Sequence, residues 1–298
     1  MRIERILATV DFSVLSEEVL KAAALLSRKV KGRLTALHVV RQTPFEGHFF
    51  GPVSVNLVNQ IESKALEELK IRLLKVVGAG EEGTEFVEWV QVGIPFVEIV
   101  RYAKQQKIQI IVAGAHGRPT FEDFSLGSVA ENLIQKAECP VWMLRGEFSV
   151  PKKILLLTDL SEHARAGFRL GLYFARLFEA SVHLLHVFEH TLIPSFAMID
   201  PTEHELKMRE MVREEFKKWE EEVQLAKIPM TSEIREGNVR NELKEALKKD
   251  PFDLIVASTH GQSALFHKHL GSVVTYLARH APCSLLTVRP ESFKFKEI

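Results

Sequence analysis

Residues 110–130 read IIVAGAHGRPTFEDFSLGSVA, and this stretch decides the fold. It opens as a short apolar run, Ile110 to Ala113, passes Gly114 and Gly117, crosses nine residues and re-enters order at Gly127-Ser128-Val129. A buried strand, a glycine-bearing loop and a helix start in that order can cradle a phosphate. Glycine lets the backbone approach a ligand with no Cβ in the way. The open N–H groups and positive dipole end of the helix then favour an anion. A plain strand-to-helix connection, with glycines that only permit tight turns, fits one such stretch equally well.

The stretch recurs. Phe252 to Val274 reads FDLIVASTHGQSALFHKHLGSVV, and Gly261, Gly271 and Ser272 stand 144 residues after Gly117, Gly127 and Ser128. The repeat extends outward: LATVDFS at 7–13 answers to ILLLTDLS at 154–161, and LTALHV at 34–39 to VHLLHV at 182–187. Gly93 answers to Gly237 and Cys139 to Cys283. The offset falls from 148 to 144 along the chain, so the first copy carries about four extra residues. Two copies of one domain follow, over 1–146 and 152–290, joined by the short RGEFSVPK linker. At 298 residues each half is near the commonest domain size.

Within each copy strands alternate with helices. In the first, strands are expected at 2–10, 33–40, 85–92, 110–113 and 139–144, with helices at 16–30, 53–77, 96–106 and 126–137; Ser16 is the expected cap of the first helix. The second repeats the order with strands at 153–158, 181–187, 230–236, 253–257 and 283–288. Such alternation predicts an α/β fold, a parallel sheet with helices on both faces. Ligands bind such sheets beyond the carboxyl ends of the strands. Asp11, Val39, Gly93 and Gly114 fall at predicted strand ends, as do Asp159, Val187, Gly237 and Ser258.

Lysine plus arginine equal aspartate plus glutamate at 39 each, which argues against a general nucleic-acid binder. No run approaches 18 uninterrupted apolar residues and the opening MRIERILATVDFS lacks a signal-peptide layout, so no membrane partner and a cytoplasmic location are expected. Cys139 and Cys283 read as small core residues of each final strand, not as a disulfide or metal set.

The Val-Asp-Phe-Ser opening, the Leu-His-Val strand, the Val-Gly-Ile-Pro turn and Gly-x2-Gly-x9-Gly-Ser resemble the universal stress proteins, tandem two-domain type, over nearly all of both halves. The resemblance implies two Rossmann-like domains of the adenine nucleotide alpha hydrolase-like kind, each with five parallel strands, and in one branch a bound ATP or AMP, with Mg2+ as a further candidate. By position, Asp11 and Val39 would meet the adenine and ribose end, and Ala113 and Gly114 would flank the ribose. Gly117, Gly127, Ser128 and Val129 would hold phosphates. The matching set in the second copy is Asp159, Val187, Ser258, Gly261, Gly271, Ser272 and Val273. There Ser258 replaces Gly114 and Val239 replaces Pro95, so nucleotide binding is expected first in domain 1. The serine would either narrow the ribose space or add a hydrogen bond. The loops differ too, with Arg118, Glu122 and Asp123 in the first against His260, His267, Lys268 and His269 in the second.

The His267-x-His269 pair, with His260 and His163 as further candidates, could bind a transition metal such as zinc, which needs a third and usually a fourth ligand; solvated histidines beside a phosphate site are the better reading. His38 and His186 read as core histidines satisfied locally. Ser13 and Ser161 read as helix caps, since no base-activated nucleophile or nucleophile elbow is present. The long charged helices read as solvated faces with i,i+4 pairs such as Glu214–Lys218. The Thr43–Val53 loop with Phe45, Phe49 and Phe50 is a lid or a core cover, and the tail from Pro290 is an added edge strand or a frayed end.

The expected function is a cytoplasmic stress-response sensor or regulator biased by an adenine nucleotide. A domain 1–domain 2 pseudo-dimer and a homodimer are expected from the final strands, 139–145 and 283–289. The rivals are a slow ATPase or phosphotransferase on the same site, and a domain-2 module for a lipid or metal. No Walker A lysine or kinase set supports the enzyme reading, and no catalytic residue is assigned.

Overall fold

The computed structural model describes residues 3–41, 55–78, 85–116, 126–189, 201–260 and 271–290. The chain divides into two compact units, one ending at Ser149 and the other covering Val150–Pro290. Unit 1 contains β1 (Arg5–Val10), α1 (Val14–Val30), β2 (Arg33–Arg41), α2 (Val55–Val77), β3 (Phe86–Gly93), α3 (Pro95–Gln105), β4 (Ile110–Gly114), α4 (Ser128–Lys136) and β5 (Val141–Leu144). Unit 2 contains β6 (Lys153–Thr158), α5 (Glu162–Phe178), β7 (Ser181–Phe188), α6 (Pro201–Leu225), β8 (Met230–Glu236), α7 (Val239–Lys249), β9 (Leu254–Ser258), α8 (Ser272–His280) and β10 (Ser284–Val288).

Strand order in unit 1 is β3-β2-β1-β4-β5, and in unit 2 β8-β7-β6-β9-β10. These neighbouring strands pair parallel within each unit. The strands are apolar on both sides because helices cover both faces: Ile6, Leu7 and Ala8 are fully buried, as are Ile110, Ile111 and Val112. In unit 1, α1 packs with α2 and α3 with α4. Along α1 the buried positions Val19, Ala22, Ala23 and Leu26 recur at helical spacing.

The chain leaves β1 toward β2 and β3, then returns to β1's other side as β4. That reversal is a topological switch point, where ligands enter such sheets. The register makes the crevice visible. β1 stays paired with β2 up to Val10↔His38, but its pairing with β4 stops at Ala8↔Val112. Beyond these residues the carboxyl ends of β1 and β4 part. In unit 2, β6 and β9 likewise stop at Leu156↔Val256.

Several local expectations change. The first helix starts at Val14 with Ser13 at the N-cap, so Ser16 lies inside it and does not cap it. Cys139 and Cys283 are half-buried, form no disulfide and stand just before β5 and β10, because a bend at each helix exit delays the strands. Lys218 pairs with Glu215 at i,i+3, not with Glu214 at i,i+4, the carboxylate also taking the Trp219 indole N–H. Among the described residues no helix is long and apolar enough to cross a membrane. The Thr43–Val53 loop, Arg118, Glu122, Asp123, His267, Lys268, His269 and the tail beyond Pro290 lie outside the described residues.

Candidate functional site

The site begins where β1 ends. Phe12 takes a left-handed conformation, φ 63°, and folds the chain back so that Ser13 faces the Asp11 side chain. Asp11 Oδ1 accepts from the Ser13 N–H at 3.0 Å, the Ser13 hydroxyl at 2.6 Å and the Ser16 hydroxyl at 2.6 Å. Oδ2 has no partner among the described residues. Partial burial pushes the carboxyl upward, but the hydrogen bonds from Ser13 and Ser16 outweigh it and hold the group below its ordinary value. It is therefore a charged acceptor with one oxygen held and one open.

On β2, His38 Nδ1 lies 2.7 Å from the Val10 carbonyl. A carbonyl can only accept, so Nδ1 carries the proton. Burial lowers the imidazole's pKa, against the raising influence of the Val10 bond and Asp11, which keeps the ring neutral and leaves Nε2 an acceptor. The Phe12 ring stacks on His38 at 4.0 Å and 23°, and the Arg72 guanidinium stands 5.2 Å from the Phe12 centroid.

On the far side, α4 is fastened to the end of β4. Ala115 N–H donates to the Leu144 carbonyl at 2.9 Å, and Gly127 N–H to the Ala115 carbonyl at 2.8 Å. A Cβ on Gly127 would lie 3.3 Å from that carbonyl oxygen and 3.4 Å from His116 Cα, so the glycine serves this close approach. The N–H groups of Ser128, Val129 and Ala130 have no acceptor among the described residues, as expected for a helix start. His116 Nδ1 is buried there without a partner among the described residues.

Between these walls lies a cleft of about 1480 Å3. Asp11, Val39, Ala113, Gly114, Gly127, Ser128 and Val129 all line it; Gly117 is outside the described residues. Sequence reading missed Phe12, Ser16, Glu18, Arg41 and Glu147 as lining residues, and assigned His38 to the core although it also borders the cleft. Of these charged residues Glu18 is paired with Lys21 at 2.6 Å and also accepts the Phe148 N–H at 2.8 Å.

Unit 2 repeats the frame with different fittings. Leu160 has the same φ of 63°, Ser161 N–H and hydroxyl donate to Asp159 Oδ1 at 3.0 and 2.6 Å, and His186 Nδ1 lies 2.9 Å from the Thr158 carbonyl. Val187 lies in β7, and Gly271 N–H donates to Thr259 at 2.9 Å, leaving Ser272, Val273 and Val274 at an open helix start. Ser258 Oγ accepts from the Gly167 N–H at 3.1 Å, so this serine adds a hydrogen bond to α5. In unit 1 the Leu15 side chain occupies that space, 2.9 Å from where a Gly114 Cβ would stand. Ser161 also caps α5 through Ala164 N–H at 3.2 Å, as expected, whereas the Ser13 hydroxyl makes no cap bond and serves Asp11. Gly261 lies outside the described residues, and among those described no three His, Cys, Asp or Glu side chains could hold a metal.

A doubly wound parallel sheet present twice, each with an open helix start beside its switch point, defines a tandem Rossmann-like α/β protein. The family model of the universal stress protein family matches residues 2–145 and again 151–289, and the chain belongs to that family. Universal stress protein MJ0577 of Methanocaldococcus jannaschii is 28% identical over 153 residues, 48% of this chain and 94% of its own. Universal stress protein A homolog 1 of Coxiella burnetii is 31% identical over 148 residues, 48% of this chain and 99% of its own. The crystal structure of a universal stress protein from Archaeoglobus fulgidus matches across both repeats, covering 95% of each chain at 19% identity with a TM-score of 0.67, a likeness of fold.

Proposed function

We propose that unit 1 binds an adenine nucleotide, ATP or AMP, and that occupancy makes the chain a nucleotide-dependent regulator in the stress response. The observation that carries this reading is a pair of sets that find no partner among the described residues and line one cleft: Asp11 Oδ2 as acceptor, and the Ser128, Val129 and Ala130 N–H groups as donors. An acceptor at one end and an anion cradle at the other match a nucleoside at one end and phosphate at the other. Asp11 and Val39 would hold the nucleoside, Ala113 and Gly114 would border it, and Gly127, Ser128 and Val129 would take phosphate.

Ser128 is the first residue of α4, and Gly127 before it has φ −65° and ψ 142°, which tolerates a following proline. Ser128→Pro therefore deletes one open N–H and a hydroxyl while keeping the helix. Calorimetric titration should show AMP and Mg2+-ATP affinity falling about 10-fold or more, the worth of a hydrogen bond to a charged group. Ser272→Pro, the matched change in unit 2, should leave that affinity in place. Equal affinity in Ser128→Pro and wild type, or no adenine-nucleotide binding by wild type, would overturn the reading.

A further inference from the structure

Ser16 is a polar side chain buried to 2% exposure in the first turn of α1. A serine inside a helix ordinarily turns its hydroxyl back to the preceding turn. Here it donates to Asp11 Oδ1 at 2.6 Å and accepts the Asp11 N–H at 3.0 Å, a clasp on the side chain and main chain of one residue. With Ser13 also donating twice to Oδ1, rotating the carboxylate out of its plane would surrender three donors, whereas a half-turn only exchanges two equivalent oxygens. One oxygen position takes all three donors, which fixes the plane of the group and leaves the other oxygen open among the described residues, on a side chain that lines the cleft. Unit 2 lacks this clasp: the position 148 residues on is Ala164. Its Ser161 divides its hydroxyl between Asp159 and the α5 cap.

We propose that Ser16 is a positioning residue of unit 1, fixing Asp11 Oδ2 as an acceptor for the vicinal hydroxyls of a ribose, so that this unit selects ribonucleotides over their deoxy counterparts. The inference rests on the nucleotide reading above. A fixed carboxylate oxygen can only accept, so it rewards a ligand presenting O–H groups and is left unpaired by one without them. A carboxylate that turns freely discriminates less, because it can return its open oxygen to water.

The test compares AMP with 2′,3′-dideoxy-AMP by equilibrium titration of the full chain, in wild type, Ser16→Ala and Ser16→Thr. Wild type should prefer AMP about 10-fold or more, as expected for a hydrogen-bonded hydroxyl pair facing a charged acceptor. Ser16→Ala installs the residue unit 2 already uses, and should lose several-fold of that preference with dideoxy-AMP affinity unchanged. Ser16→Thr, which keeps a hydroxyl, should restore it. The Asp11 carboxyl, followed by carbon-13 NMR across pH, should titrate higher in Ser16→Ala than in wild type. Equal loss of both ligands in Ser16→Ala, or an unmoved Asp11 titration, would overturn the positioning role while leaving nucleotide binding intact. Wild-type binding without ribose preference would do the same. Failure of wild type to bind either compound overturns the nucleotide reading, and this inference with it.

Discussion

The two units keep the same backbone turns and exchange the side chains around them. Phe12 and Leu160 share φ 63°, and Lys31 and Glu179, which end α1 and α5, have φ 54° and 55°. None of the four is a glycine, so each conformation costs about 1–2 kcal/mol that its surroundings must offset. The turn after the first strand persists because the aspartate and serine close it in both units. Packing volume is held differently. Where unit 1 has Ala8 on β1 and Ala23 on α1, unit 2 has Leu156 on β6 and Gly171 on α5. Leu156 is 1% exposed, and a Cβ on Gly171 would stand 2.1 Å from its Cδ2. Bulk has passed from helix to strand. Duplication here preserves backbone geometry, not the identity or the size of the residues packed on it.

The strongest way to break that comparison is to return unit 2 to the unit 1 solution one residue at a time. Leu156→Ala opens a cavity and should cost about 2–5 kcal/mol. Gly171→Ala overpacks against the buried Leu156 side chain and should cost about 1–3 kcal/mol. The double variant recreates the alanine pair, and the added methyl replaces one of the three carbons lost, no longer meets the leucine, and favours the helix. Its destabilisation should fall well below the sum of the singles, read by urea unfolding with hydrogen exchange resolving unit 2. Strict additivity would show that the two positions do not share one volume.

The periodic part of this structure was legible in the sequence. Apolar runs and helical spacing identified the strands and helices, mostly within a few residues, and the glycine spacing located the start of α4. The helix start at Val14 was missed because Ser13 and Ser16 are both plausible caps by type. Only the Asp11 turn makes Ser13 the N-cap and draws Ser16 inward. The other cleft residues were invisible for a related reason. Phe12, His38, Glu18 and Glu147 lie on or beside β1, β2, α1 and β5, and nothing local marks them as neighbours. Gly114 was read as ligand space, but Leu15, a hundred residues away, limits it. Such contacts follow from strand order, which spacing alone does not reveal.

A milder contrast concerns acid. His183 on β7 occupies the place of Thr35 on β2, so unit 2 has two buried or nearly buried strand histidines, His183 and His186, where unit 1 has His38. Burial lowers the pKa of all three; for His183, Glu233 pulls the other way and Lys153 reinforces the lowering. A depressed folded pKa means that the unfolded chain binds the proton first. The stability is complete above the ordinary histidine value of 6.5 and is lost as pH falls through the folded values. Between pH 7.5 and 5.5, unit 2 should therefore lose more stability than unit 1, measured by hydrogen exchange in each. His183→Thr should bring the two slopes together. An unchanged slope would mean that His183 takes up its proton equally well folded and unfolded.

The smallest contrast is an ion pair reversed in sign. Glu17 of α1 meets Lys75 of α2 at 3.1 Å, whereas Arg165 of α5, at the place of Glu17, pairs with Glu222 and Glu215 of α6. The unit 1 pair is exposed, with the Lys75 side chain 66% accessible. Lys75→Met should cost no more than about 1 kcal/mol and should become undetectable in 1 M NaCl. Arg165 is 18% accessible and its guanidinium lies 4.3 Å from the Trp219 ring centroid. Arg165→Lys keeps the charge but loses the flat stack and the fork, so its cost of about 0.5–1 kcal/mol should survive the same salt. Urea unfolding of both variants at low and high salt decides the matter. If the Arg165→Lys cost also vanished in salt, charge alone would hold both pairs, and the stacking on Trp219 would add nothing to unit 2.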